Sequence, residues 1–192
     1  MNFPSKSFEN QTFQGLVCQK QNLQQKDFVK CIFKKCDFSD SDFSGSSFND
    51  CVFFDSNLSN IKVDYCVFQN LSLERSKLLG IAFDRVSVAL LSWKFVKCYI
   101  SFCGFNYIDI KNSQFVDCSI QETDFLNSNL QGSDFSGSDL QSSRFNNVDL
   151  RKAIFVGAKN YFIDPTKNLL TKARFSYPEV LSLLKGFDIR IE

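Results

Sequence analysis

The chain has 192 residues, enough for one domain with a substantial hydrophobic core. Its formal net charge of +1 lacks the basic excess that is typical of nucleic-acid-binding proteins. It contains no apolar run of the roughly 18 residues that predict a membrane-spanning helix. Phenylalanine is strongly over-represented, with 23 copies against five tyrosines and one tryptophan.

The first residues carry no targeting signal that we can recognise. Residues 1–15 lack the apolar centre of a secretory signal, so we expect a cytoplasmic protein. Residues 1–6 precede the first repeat described below, and we expect them to cover the open end of the fold.

An apolar residue occupies every fifth position from Phe8 to Val88. This period fits neither an α-helix, with a period of about 3.6, nor a flat strand, with a period of about 2. Two residues before each of these centres lies a residue that is mostly small or apolar, and the other three positions are mostly polar. Alternate residues of a strand share a side, so both positions should face inward. One repeat cannot bury its own Phe, but stacked coils can, which predicts a solenoid. The seventeen centres are Phe8, Phe13, Cys18, Leu23, Phe28, Phe33, Phe38, Phe43, Phe48, Phe53, Leu58, Val63, Phe68, Leu73, Leu78, Phe83 and Val88.

The register shifts once, near residues 89–94. After Val88 the next clear centre is Phe95, seven residues on, so two residues are inserted here. One interpretation is a small bulge with Trp93 partly packed over it. The other is a protruding binding loop. Two residues protrude little, so we favour the bulge.

A second run of centres extends from Phe95 to Phe155, and Phe alternates in it with Ile or Leu. If each coil has four sides, opposite walls would carry Phe and the other two walls aliphatic residues, which fills a square section without voids. Residues 160–165 break the register and residues 170–175 resume it. We therefore assign residues 1–175 to the repeat domain.

Residues 176–192 differ from the repeats and form a second segment. Ser176 is a candidate helix N-cap, Pro178 and Glu179 suit a first turn, and Gly186 can end the helix before a short alternating strand. This segment would cover the open edge of the last coil. It carries more apolar surface than a lid needs, which predicts a homodimer through this end. The predicted contact residues are Val180, Leu181, Leu183, Leu184, Phe187, Ile189 and Ile191.

Acidic residues concentrate in two regions, 36–64 and 109–149, each with a net charge of −5. Such belts could meet a basic protein surface. Asp next to a centre could instead be an ordinary solvated residue whose carboxylate stabilises a nearby corner. Both interpretations stay open. We name Asp109, Asp117, Glu122, Asp124, Asp134, Asp139 and Asp149 the C-terminal acidic belt. We name Asp37, Asp40, Asp42, Asp50 and Asp55 the N-terminal acidic belt.

Catalytic and metal chemistry find little support. Seven of the eight Cys lie two residues before a centre and Cys18 lies at one, which predicts buried, reduced thiols that act as small hydrophobic residues. The chain has no His, no phosphate loop and no nucleophile elbow, so we predict no enzyme activity, no metal and no cofactor. The outward Thr residues form no lattice of the kind that ice binding needs.

Several segments resemble the pentapeptide repeat family, whose motif reads roughly Ala-(Asp/Asn)-Leu-x-x. The best matches are residues 41–45 (SDFSG), 128–132 (SNLQG), 133–137 (SDFSG) and 138–142 (SDLQS). The resemblance covers roughly residues 8–175. It implies an all-β fold, a right-handed quadrilateral β-helix with four repeats per coil, followed here by a short C-terminal helix.

The end of the chain resembles one branch of that family. Residues 160–164, 172–176, 178–179, 181–184 and 188–189 are similar to the end of the albicidin-resistance member, and the Qnr-type quinolone-resistance and microcin B17 immunity proteins look like relatives. The resemblance implies a DNA-mimicking dimer that binds DNA gyrase or topoisomerase IV and protects it from drugs or toxins. The alternative is a non-enzymatic repeat scaffold for another protein partner, because fold alone does not fix function.

Overall fold

The computed structural model describes Phe3, residues 5–87, residues 93–187 and residues 189–190. The chain winds into a right-handed, four-sided β-helix of about eight coils. Before the register shift, residues one coil apart differ by 20 in number, as in the parallel pairing of Phe8 with Phe28 and of Phe28 with Phe48. The predicted fold class is therefore confirmed.

The coil has four walls, named here by their first centres: Phe8 for wall 1, Phe13 for wall 2, Cys18 for wall 3 and Leu23 for wall 4. Wall 1 contains β1 (Ser7–Glu9), β3 (Asp27–Val29), β5 (Ser47–Asn49) and β7 (Val67–Gln69). Wall 2 contains β2 (Thr12–Gln14), β4 (Ile32–Lys34), β6 (Val52–Phe54), β8 (Leu71–Glu74), β10 (Trp93–Val96), β12 (Gln114–Val116), β15 (Ile154–Phe155) and β17 (Arg174–Phe175). Wall 3 contains β9 (Lys77–Leu79), β11 (Tyr99–Ser101) and β13 (Ser119–Gln121). Wall 4 contains β14 (Arg144–Phe145) and β16 (Phe162–Ile163), and isolated parallel bridges link its other coils.

The centres and the positions two residues before them form one continuous core. Aromatic rings stack coil upon coil in vertical ladders, as in Phe95–Phe115, whose centroids are 4.9 Å apart with planes 13° apart. Beyond the register shift, Phe fills walls 2 and 4, which face each other, as the alternation predicted. At the start of the rod, Phe3 packs edge-on against Phe8 and Phe28 and covers the first coil.

The register shift is confirmed, but the predicted place of Trp93 is wrong. Across the shift, partners differ by 22, as in the pairing of Leu71 with Trp93. Trp93 is only 1% exposed and lies in the core, where its indole N–H donates to the Phe68 carbonyl at 3.0 Å. The burial follows from its position two residues before the centre Phe95. Residues 88–92, on which the predicted bulge or loop largely falls, lie outside the described residues.

The chain turns a corner between one wall and the next. A single residue with its backbone in the left-handed region forms such a corner. These residues, two positions after a centre, have φ between 47° and 72°, and 24 of the 30 are not glycine. Asn, Asp, Lys and Gly predominate among them, as expected where φ is positive. The five-residue pattern predicts only that these positions are mostly polar, and the positive φ is a further constraint that the structure reveals.

Small polar residues two positions before a centre link adjacent coils from inside. The Ser138 hydroxyl accepts from the Cys118 N–H at 2.8 Å and donates to the Phe115 carbonyl at 2.6 Å. Cys51 occupies the same position and its thiol contacts the Phe28 carbonyl at 3.5 Å. These buried groups are therefore satisfied, which explains why Ser and Cys replace the Ala of the motif.

The last coil contains a compensated irregularity. Phe145 pairs with Ile163, a difference of 18, whereas Asp149 bridges Leu169 at the usual 20. The coil is therefore two residues shorter than usual between Lys159 and Ile163, and two residues longer than usual between Ile163 and Leu169. Tyr161 and Ile163 fill the core of wall 4 in this coil.

The end of the chain differs from the prediction in three details. The helix is a 3-10 helix, Glu179–Phe187, so Gly186 lies inside it and does not end it. The Ser176 hydroxyl accepts from the Gly157 N–H at 2.9 Å, which ties the tail to the preceding coil. Phe187 belongs to the helix and Ile189 to no strand, so the predicted alternating strand is wrong for the residues described.

Candidate protein-binding surface

The outer surface of the rod is the candidate site, because the interior is filled by side chains. The C-terminal acidic belt is distributed over all four walls: Asp109 and Asp149 lie on wall 1, Asp134 on wall 2, Asp139 on wall 3 and Asp124 on wall 4. The other two members occupy corners, as do three of the N-terminal acidic belt: Asp117, Glu122, Asp40, Asp50 and Asp55. Asp37 and Asp42 lie on walls 3 and 4. Each belt therefore surrounds the rod and does not form one acidic face.

Many of these carboxylates also stabilise the local backbone. Asp42 Oδ1 accepts from the Ser44 N–H at 2.9 Å, and Asp134 accepts from the Ser136 N–H at the same distance. Burial alone would raise the pKa of Asp42, but the hydrogen bonds from Ser44 and Gln24, together with the charge of Lys62, outweigh burial and lower the pKa. The corner-stabilising interpretation of these Asp residues is therefore supported by direct contacts.

Ion pairs reduce the exposed negative charge, and they do so unequally in the two belts. Four of the seven C-terminal members have a basic partner among the described residues: Asp109 with Lys111, Asp124 with Arg144, Asp139 with Lys159, and Asp149 with Arg151. In the N-terminal belt only Asp55 has one, Arg75. The N-terminal belt thus keeps more unpaired carboxylate on its surface.

The predicted dimer residues divide into two groups. Leu183 packs against the core, and Val180 and Leu184 are partly buried against the last coil. Leu181, Phe187 and Ile189 remain exposed. Leu181 and Ile189 line a groove formed mostly by residues of the 3-10 helix. Ile191, the remaining member of the set, lies outside the described residues.

Sequence analysis missed a group of exposed aromatic residues. Tyr65, Phe102 and Tyr107 occupy left-handed corners and are more than half exposed. All three border wall 4, on which Gly104 lies between Phe102 and Tyr107. The signal was present, because each of these aromatics lies two residues after a centre, where the repeat places polar residues.

The cysteines do not form a reactive site. None of the eight forms a disulfide, and all are buried. Burial raises the pKa of Cys51 and of Cys66 to about 12, which keeps both thiols protonated at neutral pH. Over residues 5–87 and 93–187, no group of three Cys, Asp or Glu side chains is arranged to hold a metal ion. No helix in this part of the chain is long and apolar enough to cross a membrane.

Comparison with known proteins supports one family. A profile described as "Pentapeptide repeat region" matches residues 86–155, and one described as "Pentapeptide repeats (8 copies)" matches residues 13–50. No curated protein matches the chain at a significant level.

Solved structures share the fold. A trypsin-treated form of QnrB1, a plasmid-mediated fluoroquinolone resistance protein, matches with a TM-score of 0.50 and 16% identity, over 97% of this chain and 100% of that one. A second match is HetL, a pentapeptide repeat protein involved in the regulation of heterocyst differentiation in the cyanobacterium Nostoc. Its TM-score is 0.47 and its identity 15%, and the match covers 84% of this chain and 86% of the HetL chain. The two profile matches, the coil geometry and the QnrB1 likeness agree: this chain belongs to the pentapeptide repeat family.

Proposed function

We propose that this protein is a DNA-shaped rod that binds DNA gyrase or topoisomerase IV and protects the enzyme from an inhibitor. The observation that carries the proposal is a fold shared with a fluoroquinolone resistance protein over nearly the whole chain. The similarity of the end of the chain to the albicidin-resistance member, in residues 160–164, 172–176, 178–179, 181–184 and 188–189, adds to it. The rod acts through its surface and without catalysis.

Shape is the first support for mimicry of DNA. Coils repeat at the spacing of neighbouring strands, so about eight coils give a rod of roughly 38 Å, and a dimer joined end to end would be about twice as long. The walls are flat, because almost every centre points inward and the backbone follows the same path in each coil. A binding site for duplex DNA could accept such a rod without rearrangement.

A local concentration of negative charge is the second feature that supports mimicry of DNA. The carboxylates of the N-terminal belt that lack ion pairs, Asp37, Asp40, Asp42 and Asp50, lie within adjoining coils. Attraction between such a region and a basic groove operates within about 8–10 Å at physiological salt. The chain as a whole need not be acidic for this contact to form. The second oxygens of Asp37 and Asp42 accept from the exposed Gln19 and Gln24 amides at 2.7 Å and 2.8 Å, so a partner would share or displace these amides and leave the corner-stabilising hydrogen bonds in place.

Dimerisation through the tail is part of the proposal. Leu181, Phe187 and Ile189 present an exposed apolar patch at the end of the rod. A twofold partner would bury it and align two rods end to end. Leu181→Glu combined with Phe187→Glu should give a monomer in analytical ultracentrifugation. Val17→Glu, at an exposed apolar position near the other end of the rod, is the matched control and should remain dimeric.

The decisive experiment measures gyrase directly. Purified protein should bind gyrase, and it should restore supercoiling in the presence of a fluoroquinolone while leaving the uninhibited reaction nearly unchanged at the same concentration. Binding that weakens steeply with added salt would agree with an electrostatic contact. If neither gyrase nor topoisomerase IV is bound or protected, the proposal is wrong, and a scaffold for another protein becomes the better interpretation.

Charge-neutral variants test the acidic belts separately from the fold. Asp37→Asn with Asp42→Asn keeps the side-chain oxygen that accepts from the backbone, so the corners should persist. We expect this pair, combined with Asp40→Asn and Asp50→Asn, to weaken gyrase binding at least tenfold, which is about 1.4 kcal/mol. Neutralising the ion-paired Asp109 and Asp149 in the same way should have a smaller effect.

A further inference from the structure

Wall 4 carries a depression that the proposed function does not use. It has a volume of about 540 Å³ and is lined by Phe102, Gly104, Glu122, Asp124 and Arg144 among others. Phe102 stands 57% exposed at one corner of this coil, and Tyr107 stands 77% exposed at the opposite corner of the same wall. We call this surface the Gly104 cradle: the depression with Phe102, Gly104, Glu122 and Asp124, the Asp84 carboxylate beside Gly104, and Tyr107 at the far corner of the wall, outside the lining of the depression.

The fold does not require the two aromatic side chains. Both residues have positive φ, 53° for Phe102 and 55° for Tyr107, and bulky residues are disfavoured there by about 1–2 kcal/mol. Most other corners carry Asn, Asp, Lys or Gly. Neither ring is buried in the core, so hydrophobic burial does not offset this cost. The positive φ itself belongs to the corner and is shared by 24 non-glycine residues, so the feature that needs a reason is the presence of exposed aromatic side chains at these two corners.

The glycine between them is also not demanded by the backbone. Gly104 has no positive φ and lies at an outward position, between Ala82 in the preceding coil and Asp124 in the next. A Cβ built there would lie 3.1 Å from Asp84 Oδ1, closer than an ordinary contact, and 3.5 Å from Asn106 Nδ2. The glycine therefore makes room for the Asp84 carboxylate, which lies against the backbone beside the depression.

The charges around the depression indicate which kind of chemical group could bind there. Asp84 and Glu122 form no ion pair with any described residue, whereas Asp124 pairs with Arg144. The cradle therefore has two carboxylates in excess, beside two exposed aromatic rings. A guanidinium group suits both features, because it stacks on aromatic faces and forms paired hydrogen bonds with carboxylates.

We propose that the Gly104 cradle is a docking site for an arginine side chain of a protein partner, which stacks on Phe102 and pairs with the Glu122 carboxylate, with Tyr107 at the far corner of the same wall. The inference rests on the proposed function in one respect only, that a protein binds the outer surface of this rod. It adds the point of contact and the chemistry of the group that is recognised. Tyr65, two coils before Tyr107 on the same side, lies outside the cradle.

The binding experiment uses a probe that does not depend on gyrase. N-acetyl-arginine amide is titrated into the full-length protein and followed by NMR, with N-acetyl-citrulline amide as the uncharged analogue of similar shape. We expect the largest chemical-shift changes at Phe102, Gly104 and Tyr107, and roughly tenfold weaker binding of the citrulline compound. Equal binding of both compounds, or changes spread evenly over the acidic residues of all four walls, would overturn the proposal.

Matched variants separate binding from folding. Phe102→Asn with Tyr107→Asn introduces a residue common at these corners, so the melting temperature should stay the same or rise. Localised binding of the arginine probe should be lost. Tyr65→Asn makes the same change at the same kind of corner outside the cradle, and it should bind like the wild type. Undiminished binding by the double variant would show that the aromatic pair does not form the site.

The same variants distinguish this inference from the proposed function. If the wild type fails to bind gyrase but binds the arginine probe at the cradle, the proposed function falls and the cradle stands. If gyrase binds the wild type and the Phe102→Asn, Tyr107→Asn variant equally well, the proposed function stands and the cradle is not its contact point.

Discussion

The two halves of the rod pack the same square interior in different ways. In residues 5–87, stacked Phe ladders occupy walls 1 and 2, which are neighbours, as in Phe28–Phe48 and Phe33–Phe53. In residues 93–175 they occupy walls 2 and 4, which are opposite. The later ladders are also closer to parallel, with only 3° between the planes of Phe115 and Phe135, against 24° between Phe48 and Phe68.

This difference shows that the four-sided coil requires the same backbone path in both halves, whereas the walls that carry the large Phe side chains can change. The wall 1 ladder ends at Phe68 and the wall 4 ladder begins at Phe83. Trp93 contacts both rings, with centroid distances of 6.1 Å and 5.3 Å, and also packs against Phe95. The only tryptophan of the chain thus joins the two packing arrangements at the coil where the register shifts.

The strongest test of the comparison is to replace Trp93, which joins the two packing arrangements. Trp93→Ala should lower the free energy of unfolding by about 3–5 kcal/mol, because it leaves a large cavity between the two ladders. Trp93→Phe, which keeps a ring but removes the donor to the Phe68 carbonyl, should cost less. Urea denaturation followed by circular dichroism measures both. A loss below about 1 kcal/mol for Trp93→Ala would mean that the halves are stabilised independently of this contact.

The ladders themselves can be compared by one substitution made in each half. Phe135→Leu interrupts a stack between two parallel rings at 4.9 Å and 5.0 Å, and we expect it to cost about 1–3 kcal/mol. Phe38→Leu should cost less, because its column in wall 3 already contains Cys18 and Leu58. Equal losses would indicate that the ladders add nothing beyond ordinary burial.

The inner bridges between coils offer a smaller effect. Ser138→Ala removes a hydroxyl that joins the Cys118 N–H to the Phe115 carbonyl, and it should cost about 1 kcal/mol. Ser138→Cys imitates Cys51 in the first half and should retain part of that stability. Thermal unfolding of the two variants at the same protein concentration makes the comparison. A more stable alanine variant would contradict the bridging role.

The smallest effect at neutral pH concerns the corner carboxylates. Hydrogen bonds lower the folded-state pKa of Asp42, so its contribution to stability is present above the unfolded pKa and is lost as the pH falls through the lowered folded value. Asp42→Asn keeps the acceptor, so its stability at pH 7 should match the wild type and decline less in acid. Melting curves between pH 3 and pH 7 test this. Parallel pH profiles for the two proteins would argue against the assignment.

The repeat itself was predictable because each Phe must be buried and only stacked coils can bury all of them. The period also located the inserted pair before Phe95. For Trp93 the period gave two conflicting indications: its position two residues before Phe95 favours an inward side chain, whereas its place beside the inserted pair suggested a ring partly packed over a bulge. Its space comes from the packing of Phe68 and Phe83, which no local pattern reveals.

The surface was less predictable than the core. Acidic residues could be counted from the sequence, but their ion pairs depend on which residues lie one coil apart, as Asp124 and Arg144 do. The exposed rings of Phe102 and Tyr107 could have been recognised from their register. Their meeting with Gly104 on one wall required the four-sided winding. The 3-10 geometry of the tail depends on its packing against the last coil, which residue propensities do not encode.

Backbone pairing in this molecule joins each turn only to the turns directly before and after it, as in the pairing of Phe95 with Phe115. Excision of residues 115–134 would therefore connect Gln114 to Phe135 and leave equivalent neighbours at every join. The length of such a protein can change over evolution in single-turn increments, with its cross-section preserved. The span between two contact points on a partner is then adjustable without redesign of the interior.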